Sequence, residues 1–600
     1  MLFIATMSGI KSLNKPSILL LFTILAAGAI SSCTGKKSAS GTLHIPMSID
    51  AKSLDPAGVD DRYSAIATAM SYEGLVEYEY LKRPHELKPL LAESMPTISK
   101  DGLTYTFKIK KGVKFIDSPN FEGGKGRELK AKDFVYSFKR IADPKVNSGG
   151  FWIFDGKIKG LNAWREANKK SETVNYDTDV EGLKAIDDST LQITLTTPYP
   201  QLLFVLAMPY SFAVPREVVE KLGKDFPNTP TGTGPYVLER WMRGSKIIFN
   251  KNPTYHGGTY PTEGEAGDKE KGLLADAGKA LPLMERVELS IFTESQPQWL
   301  NFLKGNLDYT GIPKDNFDSV IDPATGGLKE EFTSKDISLV KAPSADVTYI
   351  AFNMMDPFIV KAGPKFRQAL SLAINEEEKI KMFYNDRGIV AHSPVPPGLA
   401  GYDETYKNPW KIFNLEKAKK LLAEAGFADG KGVPVIPYET STGAEARQMA
   451  EDLQRSLGKM GIKLQINVNQ FAELLEKIDQ KKAMMWGVAW GADYPDAENF
   501  LQLLYGPNKA PGPNGSNFDN AEYNKLYEQM RYMLDSPERR KIITRMKEVF
   551  AEQMPWIPSM HRVVYTLTHP WMKNFKPEYM GATDAKFLRV NDERRIQGVK

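Results

Sequence analysis

The segment Trp490-Gly491-Ala492-Asp493-Tyr494-Pro495-Asp496-Ala497-Glu498-Asn499-Phe500-Leu501 places three carboxylates beside an indole. Two kinds of chemistry fit such a set. A single carboxylate can pair with an amine through charge-assisted hydrogen bonds while the indole keeps water away from the pair. Two carboxylates can instead divide acid–base work, as in glycoside hydrolysis, with Asp493 joined by Asp496 or Glu498. Acids of that kind are generally drawn from different strands, and these lie on one short turn. Asp493 is therefore read as the anchor for a cationic group, set against the plainer alternative of a loop carboxylate. Asp496 precedes residues 497–504, which read as helical, and is assigned to capping. Trp486 and Trp490 are four apart on a strand and share a face. Trp486 is assigned to core, and Trp490 equally to core or to a cleft wall.

The element that must position Asp493 is the apolar run 484–490, read as a buried strand. Residues 433–438 and 462–468 read as two more strands. The helices between are 444–460, with Met449, Leu453, Leu457 and Met460 inward, and 471–481. This β-α-β-α-β order predicts a parallel sheet with right-handed crossovers. Asp493 then falls just outside the carboxyl end of a strand, where open α/β sheets bind ligands. Upstream, Phe366, Ala369, Leu370, Ala373 and Ile374 form a helical stripe behind Pro364. Asn414 is placed to cap a helix carrying Leu415, Ala418, Leu421, Leu422 and Ala425 inward, closed by Gly426.

The first third has a different texture. Residues 103–110 and 190–196 alternate as half-buried strands, and 131–141 reads as a short helix with Phe134, Val135 and Phe138 on one face. Residues 232–236 form a turn into strands at 237–241 and 246–250. Residues 257–282, rich in glycine, proline and charge, read as a surface insertion between strands.

Little else in the chain could do chemistry. It has no His-Glu-x-x-His, no Gly-x-Ser-x-Gly and no phosphate-cradling Gly-Lys-Ser/Thr loop. Six scattered histidines and one cysteine build no metal cluster, and no cofactor is called for. Lys11 and Lys15 precede an apolar stretch, 17–30, too short for a comfortable membrane span, so residues 1–32 read as an export signal. The lone Cys33 follows two serines and resembles the acylated cysteine of a bacterial lipobox, with 33–41 as a lipidated tether. Removing 1–32 takes away two lysines and no acid, so the formal charge of +4 becomes +2. That near-balance, with lysines interspersed among acids, gives no support for nucleic acid as partner. One cysteine allows no internal disulfide, and 600 residues suffice for two or more lobes.

Several stretches, in order, resemble the bacterial extracellular solute-binding proteins of family 5. They are Ser53-Leu54-Asp55-Pro56 with Tyr72-Glu73-Gly74-Leu75-Val76, and 101–115 followed by Lys132-Asp133-Phe134-Val135-Tyr136-Ser137. Behind these come 232–236, Ala418-Lys419-Lys420-Leu421-Leu422-Ala423-Glu424-Ala425-Gly426 and the Trp490–Leu501 segment. The resemblance implies an α/β, two-lobe periplasmic-binding-protein-like fold (type II, cluster C) with an extra α+β domain inserted in lobe one. Lobe one would comprise 42–74, 201–345 and 551–600, the inserted domain 75–200, and lobe two 346–550. It implies a monomeric receptor, not an enzyme, that passes peptides to an ABC transporter permease. The receptor would be exported, held to a bacterial membrane through its N-terminal lipid, with its body in the periplasm or on the cell surface. Asp493 would pair with the peptide α-amine, and Trp490 matches the family's tryptophan three residues earlier. In the returning strand this chain has His561 and Arg562 where the family's oligopeptide binders carry tyrosines. The pair could neutralise a ligand carboxylate or be polar residues of an exposed edge strand. Asp60, Asp61 and Arg62 face either the cleft or solvent. Nickel, haem and oligosaccharide remain alternative ligands on the same fold.

Overall fold

A computed structural model describes residues 41–598 other than 60, 84, 578–579 and 581–583. The expected signal 1–32, Cys33, all but the last residue of the tether and Asp60 lie outside the described residues.

The sheet that carries Asp493 has eight strands. Its central order is Tyr309–Gly311, Trp556–Thr568, Asp346–Phe352, Met485–Gly491, Ile436–Ser441, Leu464–Asn469. Ile436–Ser441 runs parallel to both Leu464–Asn469 and Met485–Gly491, as the alternation of strands and helices predicts. The parallel part stops there. Asp346–Phe352 lies antiparallel to Met485–Gly491, pairing Asp346 with Gly491 and Phe352 with Met485. The helices between the parallel strands, Ala444–Gly458 and Phe471–Asp479, turn Ala450, Leu453, Leu457, Leu474 and Ile478 inward. Asn414 caps Leu415–Glu424 by accepting the Lys417 N–H. The Pro357–Leu372 helix is two pieces joined at Gly363, whose φ of 73° is left-handed, and Pro364 starts the second piece.

The strand leading to Asp493 owes its path to a glycine. A Cβ at Gly487 would stand 2.2 Å from the Tyr438 hydroxyl, so only glycine lets the neighbouring strand's tyrosine lie across it. Trp486 is 2% exposed and belongs to the core, while Trp490 packs partly buried against the same cluster.

The thirteen-residue strand Trp556–Thr568 changes partners along its length. Its first half pairs with Asp346–Phe352 and Gly388–Val390. Its second half, from Val563, pairs with Ser338–Pro343, and Thr566–Thr568 also pairs with Tyr309–Gly311. Two stretches of chain, 343–346 and 560–563, therefore pass side by side at the changeover, where the Ser344 N–H donates to the Arg562 carbonyl at 2.8 Å.

A separate sheet, in the order Thr42–Met47, Arg286–Ile291, Lys246–Lys251, Tyr236–Met242, forms the core of the other lobe. A third, from Thr97–Ile98, Thr104–Lys108, Thr190–Thr194 and Leu183–Asp187, is antiparallel and packs on the Ala131–Ala142 helix. Buried Arg140 of that helix makes a bidentate pair with Asp55, both contacts at 2.8 Å. The Ser53–Pro56 motif thus ties the Ala131–Ala142 helix to the turn that follows Thr42–Met47. Gly232 and Gly234 serve similarly: a Cβ at either would come within 2.1 and 2.5 Å of Ser71 backbone atoms.

Residues 257–282 are more than a surface insertion. Tyr260, Leu273 and Leu281 enter the core of the first lobe. Asp276, fully buried, receives Arg589 at 2.6 Å and Asn574 at 2.8 Å from the C-terminal segment. A polar, glycine-rich composition hides this because the stretch is anchored by single residues rather than by a periodic face.

Candidate functional site

Asp493 lies two residues past the end of Met485–Gly491, at the carboxyl-end edge of the parallel strands. The Ala492 N–H donates to the Ala345 carbonyl at 2.8 Å and ties the start of the loop to the changeover. The loop then folds back on itself around Asn499, which is fully buried. Asn499 Oδ1 accepts the Asp493 N–H and the Trp490 indole N–H, each at 3.0 Å. Its Nδ2 donates to Asp493 Oδ2 at 2.9 Å.

Asp493 Oδ1 accepts no hydrogen bond among the described residues, and no cation there pairs with the carboxylate. Burial pushes its pKa up to about 6; the Asn499 hydrogen bond opposes the rise, and the charge of Glu498 adds to it. A carboxylate so placed is costly when ionised and is relieved by a cation.

The other two carboxylates of the segment are committed elsewhere. Asp496 accepts the Glu498 N–H at 2.8 Å, opening the Glu498–Leu501 helix, and Arg539 at 2.6 Å. The N-cap of that helix is Ala497, so Asp496 acts from one residue before the cap, and its carboxylate is held by an ion pair. Glu498 is buried and accepts the Tyr494 and Tyr527 hydroxyls. Asp493 therefore does not face a second free carboxylate from its own turn, and the acid–base pair considered from the sequence does not form.

Tyr494 stacks on Phe204, ring centroids 6.5 Å apart, so the loop after Asp493 packs on the chain that precedes the first lobe's central strands. Lys157 lies nearby under the Glu498 field. Its Nζ donates to the Trp152 carbonyl at 3.1 Å and to the Tyr199 hydroxyl at 3.2 Å, and burial pulls its pKa down to about 7.

His561 and Arg562 sit at the changeover in the interior of the sheet, flanked by strands on both sides, rather than on an exposed edge. His561 is 1% exposed. Its Nδ1 contacts the Asp346 carbonyl oxygen at 2.7 Å, and burial pulls its pKa down to about 4. It is neutral at physiological pH and cannot supply a positive charge to a ligand carboxylate. Arg562 is half-exposed, but Asp346 already holds it: Oδ2 accepts Nε at 2.7 Å and Nη2 at 2.6 Å. Gly491 pairs with Asp346, so Asp493 and Arg562 lie toward the same end of the sheet, with Asp346–Phe352 between their strands. Asp61 caps the Arg62–Thr68 helix through the Tyr63 and Ser64 N–H groups.

Asn499 and Asp346 were not singled out from the sequence. Asn499 lies inside the segment, but its spacing from Asp493 gives no sign that the loop returns. Among the described residues no three His, Cys, Asp or Glu side chains converge as metal ligands, and no helix is long and apolar enough to cross a membrane.

Two lobes of mixed α/β structure define a periplasmic-binding-protein-like fold of type II. The sequence model of bacterial extracellular solute-binding proteins, family 5 (Middle), matches residues 86–512, and the chain belongs to that family. Among curated relatives, the heme-binding protein A of Haemophilus influenzae is 27% identical over 84% of this chain and 84% of its own. The dipeptide-binding protein of Escherichia coli is 26% identical over 85% of this chain and 87% of its own. Among solved structures, the periplasmic binding protein DppA of Helicobacter pylori, in complex with peptide STSA, superposes with a TM-score of 0.73 at 24% identity. That match covers 92% of this chain and 98% of the other.

Proposed function

We propose that this protein is a receptor that captures peptides outside the cytoplasmic membrane and delivers them to the permease of an ABC transporter. One observation carries the reading. Asp493 is a partly buried carboxylate without a cation partner among the described residues, held in place by Asn499 just past the carboxyl ends of the parallel strands. The α-amine of a peptide supplies the missing charge. The dipeptide-binding relative and the peptide-bound structural neighbour support the same ligand class. The paired crossings at 343–346 and 560–563 are suited to act as a hinge along the proposed division, with 42–74, 201–345 and 551–600 in one lobe and 346–550 in the other.

The receptor binds without turnover, since Asp496 and Glu498 are occupied by Arg539 and by two tyrosines. Haem is the reading favoured by one relative. The histidine toward this end of the sheet, His561, is buried and contacts a backbone carbonyl, which leaves it poorly placed as an axial ligand. The protein is exported, acylated at Cys33 and monomeric.

Native mass spectrometry of the purified protein tests the ligand class. A ladder of peptide masses released from the protein is expected; a haem, metal or glycan mass in its place would overturn the reading.

A further inference from the structure

The hydrophobic core around the Asp493 loop runs unbroken across the proposed boundary of lobe two. One cluster contains Ile153 and Tyr199, from the body built on the antiparallel Thr104–Lys108 sheet, together with Tyr494, Phe500 and Tyr527 from the chain after Asp493. Three rings pass through it in a stack. Tyr78 lies on Phe204 with centroids 6.3 Å apart and planes 12° from parallel, and Phe204 lies on Tyr494 at 6.5 Å and 7°. Tyr494 is fully buried, so its ring packs on protein rather than on ligand.

A buried polar group stands on each side of this join. On the lobe-two side Glu498 accepts the Tyr494 and Tyr527 hydroxyls. On the other side the Lys157 carbonyl accepts the Thr196 N–H at 2.9 Å, which ties this lysine to the antiparallel sheet. Its ammonium donates to the Trp152 carbonyl and the Tyr199 hydroxyl and lies 4.4 Å from the Tyr199 ring centroid. Neither Lys157 nor Glu498 forms an ion pair among the described residues. The charged groups that act on Lys157 are Glu498 and Arg531 from lobe two and Asp155 from its own loop, Glu498 most strongly. Burial pushes the Tyr199, Tyr494 and Tyr527 hydroxyls well above the ordinary phenol range, so they stay neutral. The stacked rings favour contact between the two sides, and the buried ammonium, short of a counter-ion, opposes it.

We propose that Phe204, Tyr494 and Lys157 form a latch that closes the antiparallel-sheet body onto the Asp493 loop without ligand, the rings holding it shut and the ammonium limiting its strength. The inference rests on the two-lobe division and not on the peptide reading, so it stands or falls independently of the ligand class. Because the latch holds the loop that carries the anchor, it sets the fraction of receptor ready to bind, and apparent affinity scales with that fraction. Opening lets water reach Lys157, so the open form takes up a proton more readily than the closed form, and falling pH weakens the latch. Between pH 7 and pH 9 Asp493 is largely ionised in either form and adds little to this dependence.

Hydrogen–deuterium exchange on the unliganded full-length protein tests this at residues 152–157 and 494–501. Phe204→Leu is expected to speed exchange in both segments by about two- to tenfold, the range for loss of one aromatic pair, and to leave the Pro357–Leu372 helix unchanged. Lys157→Met should act in the opposite sense and slow exchange in 494–501. The ratio of wild-type to variant exchange should be about tenfold larger at pH 7 than at pH 9. A gain of protection cannot come from misfolding, so this variant decides the matter even if Phe204→Leu fails to fold. Exchange in 494–501 that neither substitution changes overturns the latch. Faster exchange in Phe204→Leu that spares both 152–157 and 494–501 overturns it as well. An equal ratio for Lys157→Met at the two pH values overturns the part assigned to the ammonium.

Discussion

Asn499 clamps Asp493 from two directions: its oxygen accepts the aspartate's N–H at 3.0 Å, and its amide donates to the aspartate's carboxylate at 2.9 Å. The same oxygen takes the Trp490 indole N–H, so one buried side chain sets the geometry of anchor and wall together. Asn499→Ala leaves two donors without their acceptor and should cost about 1–3 kcal/mol of stability. It also removes the hydrogen bond that holds the Asp493 pKa down. The pH at which peptide affinity is half lost should therefore rise above that of wild type. An unchanged midpoint, measured by calorimetry across pH, would show that Asn499 does not act on the carboxylate.

Asp493 should be expensive to the unliganded protein. Its folded pKa, about 6, stands above the ordinary carboxylate value, so between the two the folded state holds a proton that the unfolded state has released. Stability is then lost as pH rises through about 6. Asp493→Asn should stabilise the ligand-free protein by roughly 1–3 kcal/mol near pH 7.5 and by little near pH 4. Denaturant unfolding at the two pH values checks this, and an equal effect at both would contradict it. Affinity for an amine runs the other way, falling as pH drops through about 6, because only the carboxylate form pairs with a cation.

Much of the site's frame was legible because it is built from periodic elements. The strands at 436–441, 464–469 and 485–491, the helices between them and the cap at Asn414 are spelled by local alternation, apolar stripes and capping residues. Asp493 could be placed at a strand end from those alone. What escaped notice depends on distant partners. Nothing local marks Asp346 as the counter-ion of Arg562, 216 residues away. Nothing marks His561 as interior, because Trp556–Thr568 becomes central only when strands from four separate stretches pair with it. Asp276 looks like a loop charge until Arg589 is brought to it.

Lys157 gives a second titration with the opposite sense. Its folded pKa, about 7, lies below that of a free lysine, so the folded state binds fewer protons than the unfolded state between those values. Stability is lost as pH falls toward about 7. Lys157→Met should stabilise more near pH 6 than near pH 9, with a gap of roughly 1–3 kcal/mol. A gap of zero in thermal or denaturant unfolding would mean that water reaches the ammonium.

Anchoring by Cys33 predicts that Cys33→Ser takes up no labelled palmitate and is released or left unprocessed. A single acyl chain holds a protein only marginally, so loss of the diacylated cysteine should abolish membrane fractionation. Equal labelling of variant and wild type would contradict lipidation at this residue.

The most direct measurement is a double-mutant cycle at the anchor. One axis is Asp493→Asn and the other is N-acetylation of a bound peptide, with all four dissociation constants read by calorimetry. Breaking a desolvated charge pair from one side should cost roughly 2–5 kcal/mol for the free-amine peptide, a loss of about thirty-fold to several-thousand-fold. The acetylated peptide should bind wild type poorly and be little affected by the substitution, so the two losses should be strongly coupled. Coupling below about 0.5 kcal/mol would mean that the losses are independent and that Asp493 does not hold the ligand's amine.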